Sequence, residues 1–255
     1  MASEEDSVET LEAGDIYFFY RPKVEKEEVT SASDVQRVYL VLSPDAHDRY
    51  RLAVLGRKKL PDPSQSGKRR YWCFIETVSK HADGVREALQ AEEYETKTRG
   101  RREVPAARPV GEGRYRLLRH NGHTHLAYAL ELPHKPGGPQ DDFNIEQQAS
   151  YIISVKNPDK PTKAPAGLGK NQKADYPKHL QERFGDRSFS DADPDLLDYE
   201  GAEFVLISAA EDVKEELGVE IDTEKEDQSS ADVFSDLELD RREHPARPLV
   251  EAKWK

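Results

Sequence analysis

The chain has 255 residues, of which 36% are hydrophobic and 35% charged, and its formal net charge is -12. Its single cysteine excludes an internal disulfide, and no apolar run approaches the roughly 18–20 residues that span a bilayer. Since the first fifteen residues are acidic and lack an apolar segment, we expect a cytoplasmic protein without a membrane role.

Charge is distributed unevenly along the chain. Residues 49–120 carry 18 Lys and Arg against nine Asp and Glu, whereas residues 191–255 carry seven against 21. A basic block within an acidic protein suggests a surface for an anionic partner. The acidic block either solubilises the chain or covers the basic block, and the sequence leaves both interpretations open.

The fold class that we predict is α+β, with a largely antiparallel, barrel-like N-terminal sheet that contains one helix. Residues 1–13 are expected to form a disordered acidic leader and residues 14–135 a β-rich domain. Dense β-branched and aromatic residues predict strands at 15–20, 35–42, 50–55 and 71–75. Asp83 is expected to cap a helix over 84–97, and the basic, proline-containing stretch 98–111 to form a loop.

The first two of these strands resemble those of a known family. Gly14-Asp15-Ile16 opens the first strand, and Val38 to Ser43 forms the second apolar run. This pattern resembles the start of the small-barrel endoribonuclease toxins of the MazF/PemK type, which have Arg-Pro where this chain has Arg37-Val38. The resemblance covers the N-terminal strands alone, and it implies a small, strongly bent β-barrel there.

The clearest local prediction is a β-hairpin at Asn121-Gly122. Asn-Gly is favoured in two-residue hairpin loops because both residues tolerate positive φ. In the resulting register His120 faces His123, and side chains alternate between the two faces of each strand. The opposite face carries arginines and histidines, and the core face comprises Tyr115, Leu117, Leu126, Tyr128 and Leu130.

Residues 136–221 are predicted to form a smaller second α/β portion, which either shares the first sheet or builds its own. Strands are expected at 149–155 and 204–207, and a linker or long loop at 157–173. One helix should follow Asp175, and another should follow the capping box from Ser208 to Glu211. Residues 222–255 are expected to form an acidic, mostly disordered tail, with Trp254 docking back onto the fold.

Three basic clusters precede the hairpin, and the middle one adjoins the rings of Tyr71 and Trp72. Cations beside aromatic rings can hold single-stranded nucleic acids without sequence readout. We therefore expect a binding or regulatory module for a phosphate-bearing partner (RNA, DNA or a nucleotide), although solvated loops paired with acids would give the same pattern. The candidate anion- or nucleic-acid-binding residues are Arg57, Lys58, Lys59, Lys68, Arg69, Arg70, Arg99, Arg101, Arg102, Arg114 and Arg116.

The polar face of the hairpin brings three imidazoles together. Directly opposite Cβ atoms lie about 4.5–5.5 Å apart, so His120, His123 and His125 could share one divalent metal ion such as zinc. A metal-dependent hydrolase using these histidines, with Glu131 as general base, is one alternative function, and solvent-facing histidines are the simpler interpretation. Another alternative is an interaction protein that acts through its acidic C-terminal tail. No catalytic signature decides whether the protein is an enzyme.

Overall fold

The computed structural model describes residues 8–65, 67, 69–98, 100–161 and 172–254. Eleven strands and six short α-helices lie within these ranges. The strands are β1 (Glu9–Pro22), β2 (Val35–Pro44), β3 (Tyr50–Leu55), β4 (Tyr71–Ser79), β5 (Glu92–Thr96), β6 (Gly100–Val104), β7 (Arg108–His120), β8 (His123–Leu132), β9 (Gln148–Lys156), β10 (Phe189–Asp191) and β11 (Glu203–Ala210). The helices are α1 (Ala82–Leu89), α2 (Pro139–Phe143), α3 (Lys178–Phe184), α4 (Val213–Leu217), α5 (Asp232–Asp236) and α6 (Arg247–Val250).

Eight of the strands close into an antiparallel barrel. β1 to β4 follow one another around it, and β11, β9, β8 and β7 complete the circuit back to β1. β10 extends the sheet beside β9, while β5 and β6 form a separate hairpin. The prediction of a largely antiparallel, barrel-like sheet is confirmed. The strands β9 and β11, from the predicted second portion 136–221, belong to this same barrel.

Alternate side chains of the barrel strands point inward and fill the interior. The register of the Asn121-Gly122 hairpin is the predicted one, with His120 opposite His123, and both turn residues have positive φ. Aromatic rings dominate the centre: Phe18 meets Tyr128 at 5.1 Å between centroids, and Tyr128 stacks on Tyr151 at 6.4 Å. The barrel therefore has a packed core, as small closed barrels generally do.

The glycine that opens the predicted first strand permits a close approach of two strands. Gly14 in β1 pairs with Pro44 in β2, and a Cβ atom on Gly14 would lie 2.1 Å from the carbonyl oxygen of Ser43. Real Cβ atoms do not come this close to a backbone oxygen. Only glycine fits here, because any larger residue would push β1 and β2 apart.

A buried ionic cluster lies near the starts of β1 and β3. Arg51 donates to both carboxylate oxygens of Glu12, at 2.6 and 2.9 Å, and to Asp198 at 2.6 Å. The hydroxyl of Tyr115 donates to the same Glu12 carboxylate at 2.7 Å. Arg51 is only 1% exposed, so its charge is compensated entirely by these neighbours.

The C-terminal segment covers the outer face of the barrel. Val233, Leu237 and Leu249 are buried in one apolar cluster with Tyr17 and Phe19 of β1. Trp254 docks as predicted, with its ring 5.4 Å from the rings of Tyr20 and Phe143. The sequence predicted a mostly disordered tail over 222–255, but residues 222–254 pack on the barrel, because a few well-spaced apolar residues anchor an otherwise acidic stretch.

Several predicted boundaries differ from the structure. The helix expected over 84–97 ends at Leu89, and the stretch after it forms the β5–β6 hairpin, in which Glu93 and Arg101 form an ion pair. The predicted loop 98–111 therefore contributes to two strands. β1 begins at Glu9, inside the predicted leader, because residues 9–13 pair with β7. Ser208 lies within β11, and Asp212 is the residue that caps α4.

The α-helices of the structure are short. Each of the α-helices within the described ranges has eight residues or fewer. None of these helices is long and apolar enough to cross a bilayer.

Candidate nucleic-acid interface

The predicted basic residues have different surroundings in the structure. Four of them face carboxylates: Arg101 pairs with Glu93, Arg102 with Glu25, Arg114 with Asp15 and Asp45, and Arg116 lies 3.8 Å from Asp222. Lys58 instead donates to the backbone oxygen of Val35 at 2.9 Å. Lys68 and Arg99 lie outside the described residues. The basic block of the sequence is thus not one continuous surface.

Two of the remaining cations, Arg57 and Arg70, lie over aromatic rings, and Lys59 and Arg69 are close to them in sequence. The guanidinium of Arg57 lies 5.0 Å from the ring centroid of Tyr71, and that of Arg70 lies 4.8 Å from the ring of Phe189. Phe189 in turn lies 5.9 Å from Trp72. Tyr71 and Trp72 are consecutive in β4 and therefore point to opposite faces of the strand. We call the start of β4 with these neighbours the basic ledge, and it comprises Arg57, Lys59, Arg69, Arg70, Tyr71, Trp72 and Phe189.

The cations of the basic ledge are accessible. Arg57, Lys59, Arg69 and Arg70 are exposed, whereas the three rings are half-buried. The ion pairs formed among residues of the described ranges include none of these four cations. Among the described residues, no carboxylate therefore neutralises these four charges. A guanidinium over a ring is attracted by the π-electrons and keeps its charge.

Local structure explains how the ledge is assembled. The loop after β3 carries Arg57, and its start is fixed where the Gly56 N–H donates to the Trp72 oxygen at 2.9 Å. Tyr71 and Trp72 begin β4. Phe189 comes from β10, where it pairs with Lys156 of β9. The buried Lys156 is itself compensated by Glu203, 3.0 Å away.

The histidine face adopts the predicted register without forming a ligand set. His123 is exposed, His120 is half-buried, and His125 is buried with its Nδ1 atom 3.2 Å from the hydroxyl of Ser150. Burial, together with His120 and His123, lowers the pKa of His125 to about 4, so this imidazole is neutral near pH 7. Within the part of the chain that the structure describes, no group of three or more His, Cys, Asp or Glu could hold a metal ion.

Two of the arginines that face carboxylates, Arg114 and Arg116, lie in an acidic cleft. Arg114 and Arg116 line a cavity of about 430 Å³ together with Asp15, Glu131 and Asp232. Glu131 accepts a hydrogen bond from the backbone N–H of Glu224, and burial raises its pKa to about 7. Acids outnumber cations here, so the cleft is poorly suited to an anionic ligand.

A set of carboxyl groups continues beneath this cleft, between the barrel and the C-terminal segment. Burial raises the pKa of Glu112, of Glu226 (to about 8) and of Asp232 (to about 6). Like-charged neighbours add to each shift, since every carboxylate disfavours ionisation of the next. We call Glu112, Glu131, Glu226 and Asp232 the carboxyl seam.

Sequence reasoning found the cations and the β4 rings of the basic ledge, but it missed Phe189 and the carboxyl seam. Both depend on contacts between residues far apart in the chain, for which one sequence carries no signal. The chain matches no protein-family model, no curated protein and no solved structure. Its function must therefore be argued from the geometry and charge of its own surfaces.

Proposed function

We propose that this protein binds single-stranded nucleic acid and that the basic ledge holds the strand. One observation carries the proposal: the accessible cations Arg57 and Arg70 lie over aromatic rings instead of beside carboxylates. Phosphates are attracted to the guanidinium groups, and bases can stack on the rings that lie next to them. Base stacking on an aromatic side chain contributes about 1–3 kcal/mol per base, independently of sequence.

Charge sets the expected strength of binding. The net charge of -12 repels a polyanion at long range, which favours moderate affinity and strong salt dependence. If four cations contact phosphates, the logarithm of the binding constant should fall with the logarithm of salt concentration with a slope near -3, because each phosphate contact on a single strand contributes about -0.7.

The experiment is a fluorescence-anisotropy titration of the full chain with labelled oligothymidine and oligouridine at several salt concentrations. The double variant Arg69→Gln/Arg70→Gln should weaken binding and reduce the steepness of the salt slope by about 1.4, since two contacts are lost. Arg101→Gln is the matched control, because it removes a charge from the same sequence block at a residue that pairs with Glu93. This control should bind like the wild type.

Two outcomes would contradict the proposal. Absence of binding by the wild type at low salt would exclude a nucleic-acid role for the ledge. Equal weakening by Arg101→Gln and by a single Arg70→Gln variant would mean that general attraction, and not the ledge, governs binding.

The two alternative functions have weaker support. A metal-dependent hydrolase built on His120, His123 and His125 lacks a ligand set among the described residues. An interaction protein acting through its acidic tail would need that segment to be free, and its apolar residues are buried on the barrel.

A further inference from the structure

The segment 222–240, which we call the docked segment, is attached to the barrel through two of the seam carboxyl groups. The Val233 N–H donates to Glu112 Oε2 at 3.0 Å, and the Glu224 N–H donates to Glu131 Oε1 at 2.6 Å. Glu112 belongs to β7 and Glu131 to β8. Ionisable side chains of the barrel therefore hold the backbone of the docked segment.

One pair of carboxyl groups in this seam cannot be satisfied when both are ionised. Glu112 and Glu226 are 1% and 6% exposed, and the two carboxyl groups are neighbours that act on each other's pKa. Within the described part of the chain, no N–H or O–H group donates to Glu112 Oε1 or Glu226 Oε2. A carboxylate is only an acceptor, so a hydrogen bond between the two groups requires a proton on one of them.

We propose that the carboxyl seam is a proton-operated latch. The docked segment stays on the barrel while Glu112 and Glu226 share a proton, and it is released when that proton is lost. Two buried carboxylates without the shared proton repel each other and leave both oxygens without a donor, which is costly in a low-dielectric environment.

The acids around Glu112 also disfavour its ionisation. Glu131 of β8 and Asp232 of α5 disfavour ionisation of Glu112, which also faces the hydroxyl of Tyr17 in β1. Hydrogen bonds between Asp232 and Glu226 act in the opposite direction and lower the pKa of Glu226. The acids Asp15, Glu224 and Asp236 lie further out, beside Glu131 or Asp232. Arg114 of β7 lowers the pKa of the neighbouring Glu131, but it is already paired with Asp15 and Asp45. Loss of the shared proton is therefore poorly compensated by positive charge.

The sign of the pH dependence follows from these shifts. The pKa values of Glu226 (about 8) and Glu131 (about 7) lie above their ordinary value of 4.5, chiefly because of burial. A raised pKa in the docked state means that docking takes up protons. The contribution of these groups to docking is thus complete below the ordinary value and is lost as pH rises through about 7 to 8. Since the pair interacts strongly, it titrates as a unit.

Release would change what the protein presents to its surroundings. It would uncover the apolar outer face formed by Tyr17, Phe19 and Val41, and it would open the cleft that contains Arg114 and Arg116. It would also free the acids of the docked segment. The alternative function of an interaction protein with an acidic tail would thereby become available above neutral pH.

Amide hydrogen exchange of the full chain tests the latch. Each measured exchange rate is divided by the intrinsic rate at the same pH, so that the ratio reports opening of the docked segment. The amides of Glu224 and Val233 should lose at least about tenfold in protection between pH 6 and pH 8, since one linked proton shifts an equilibrium by up to tenfold per pH unit. The amides of β2 serve as the internal reference and should keep their protection.

Substitution of the shared pair identifies the groups responsible. Glu226→Gln supplies a permanent donor in place of the proton and should abolish most of the pH-dependent loss, and Glu112→Gln should do the same. Equal protection of the two wild-type amides at pH 6 and pH 8 would overturn the proposal. So would an undiminished loss in both variants.

Discussion

The basic ledge and the carboxyl seam gather like charges in opposite ways. On the ledge, exposed arginines lie over rings and keep their charge, so they remain available to an external anion. In the seam, the buried carboxyl groups of Glu112, Glu131 and Glu226 resist ionisation. Exposure and the sign of the nearest neighbour, and not the charge of the sequence block, therefore decide whether a charged residue is available for binding.

The Arg51 cluster provides a third case, in which opposite charges are buried together. Arg51 is bound by Glu12 and Asp198. Arg51→Met should lower the free energy of unfolding by about 3–5 kcal/mol, because Glu12 would keep a buried charge without its partner. Urea unfolding measures this difference. Arg49→Met is the control, because this half-exposed residue pairs with Asp198 alone and should cost about 1 kcal/mol or less.

The packing of the docked segment gives the next largest expected effect. Leu237 is fully buried in the outer apolar cluster, so Leu237→Ala should cost about 2–5 kcal/mol of stability. Lys225→Ala, at an exposed position of the same segment, should stay within about 0.5 kcal/mol of the wild type. Equal thermal stability of both variants would mean that the segment does not contribute to the fold, as a disordered tail would not.

On the basic ledge, the contribution of the aromatic rings to binding can be measured separately from that of the charges. Trp72→Ala should weaken binding of oligothymidine by roughly 5- to 150-fold, which corresponds to about 1–3 kcal/mol of lost stacking. Trp72→Phe keeps a ring and should lose less. The salt slope should be the same for both variants, because no cation is removed. A change in slope without a change in affinity would contradict a stacking role.

The smallest expected effect is a change in the pH dependence of unfolding when Glu131 is replaced. Its pKa is raised to about 7, so its contribution to stability is complete below its ordinary value of 4.5 and is lost as pH rises through 7. Glu131→Gln keeps an oxygen for the Glu224 N–H and should make unfolding less dependent on pH between 5 and 8. Thermal unfolding across this range measures the difference, and an unchanged pH profile would contradict the assignment.

The sequence predicted what depends on local pattern. The Asn121-Gly122 hairpin, its register and the core face from Tyr115 to Leu130 follow from alternation and turn chemistry. The strands at 35–42, 50–55 and 149–155 were found for the same reason.

Other features depend on contacts that a single sequence does not reveal. Phe189 reaches Trp72 from a distant part of the chain, and Val233 anchors a segment whose acidic composition predicts disorder. The helix predicted over 84–97 is wrong beyond Leu89, because residues 92–96 pair with residues 100–104 in a hairpin that lies beyond the reach of a local helix pattern.

The most direct test of the proposed function is photo-crosslinking of the full chain to oligothymidine that contains 4-thiothymidine, with the crosslinked residues identified by mass spectrometry. The structure offers a rival site, because Tyr94 is exposed beside the arginines of the β5–β6 hairpin. We predict crosslinks to Tyr71, Trp72 or Phe189, which are lost in Arg69→Gln/Arg70→Gln. Crosslinks confined to Tyr94, or to residues outside the basic ledge, would contradict the proposal.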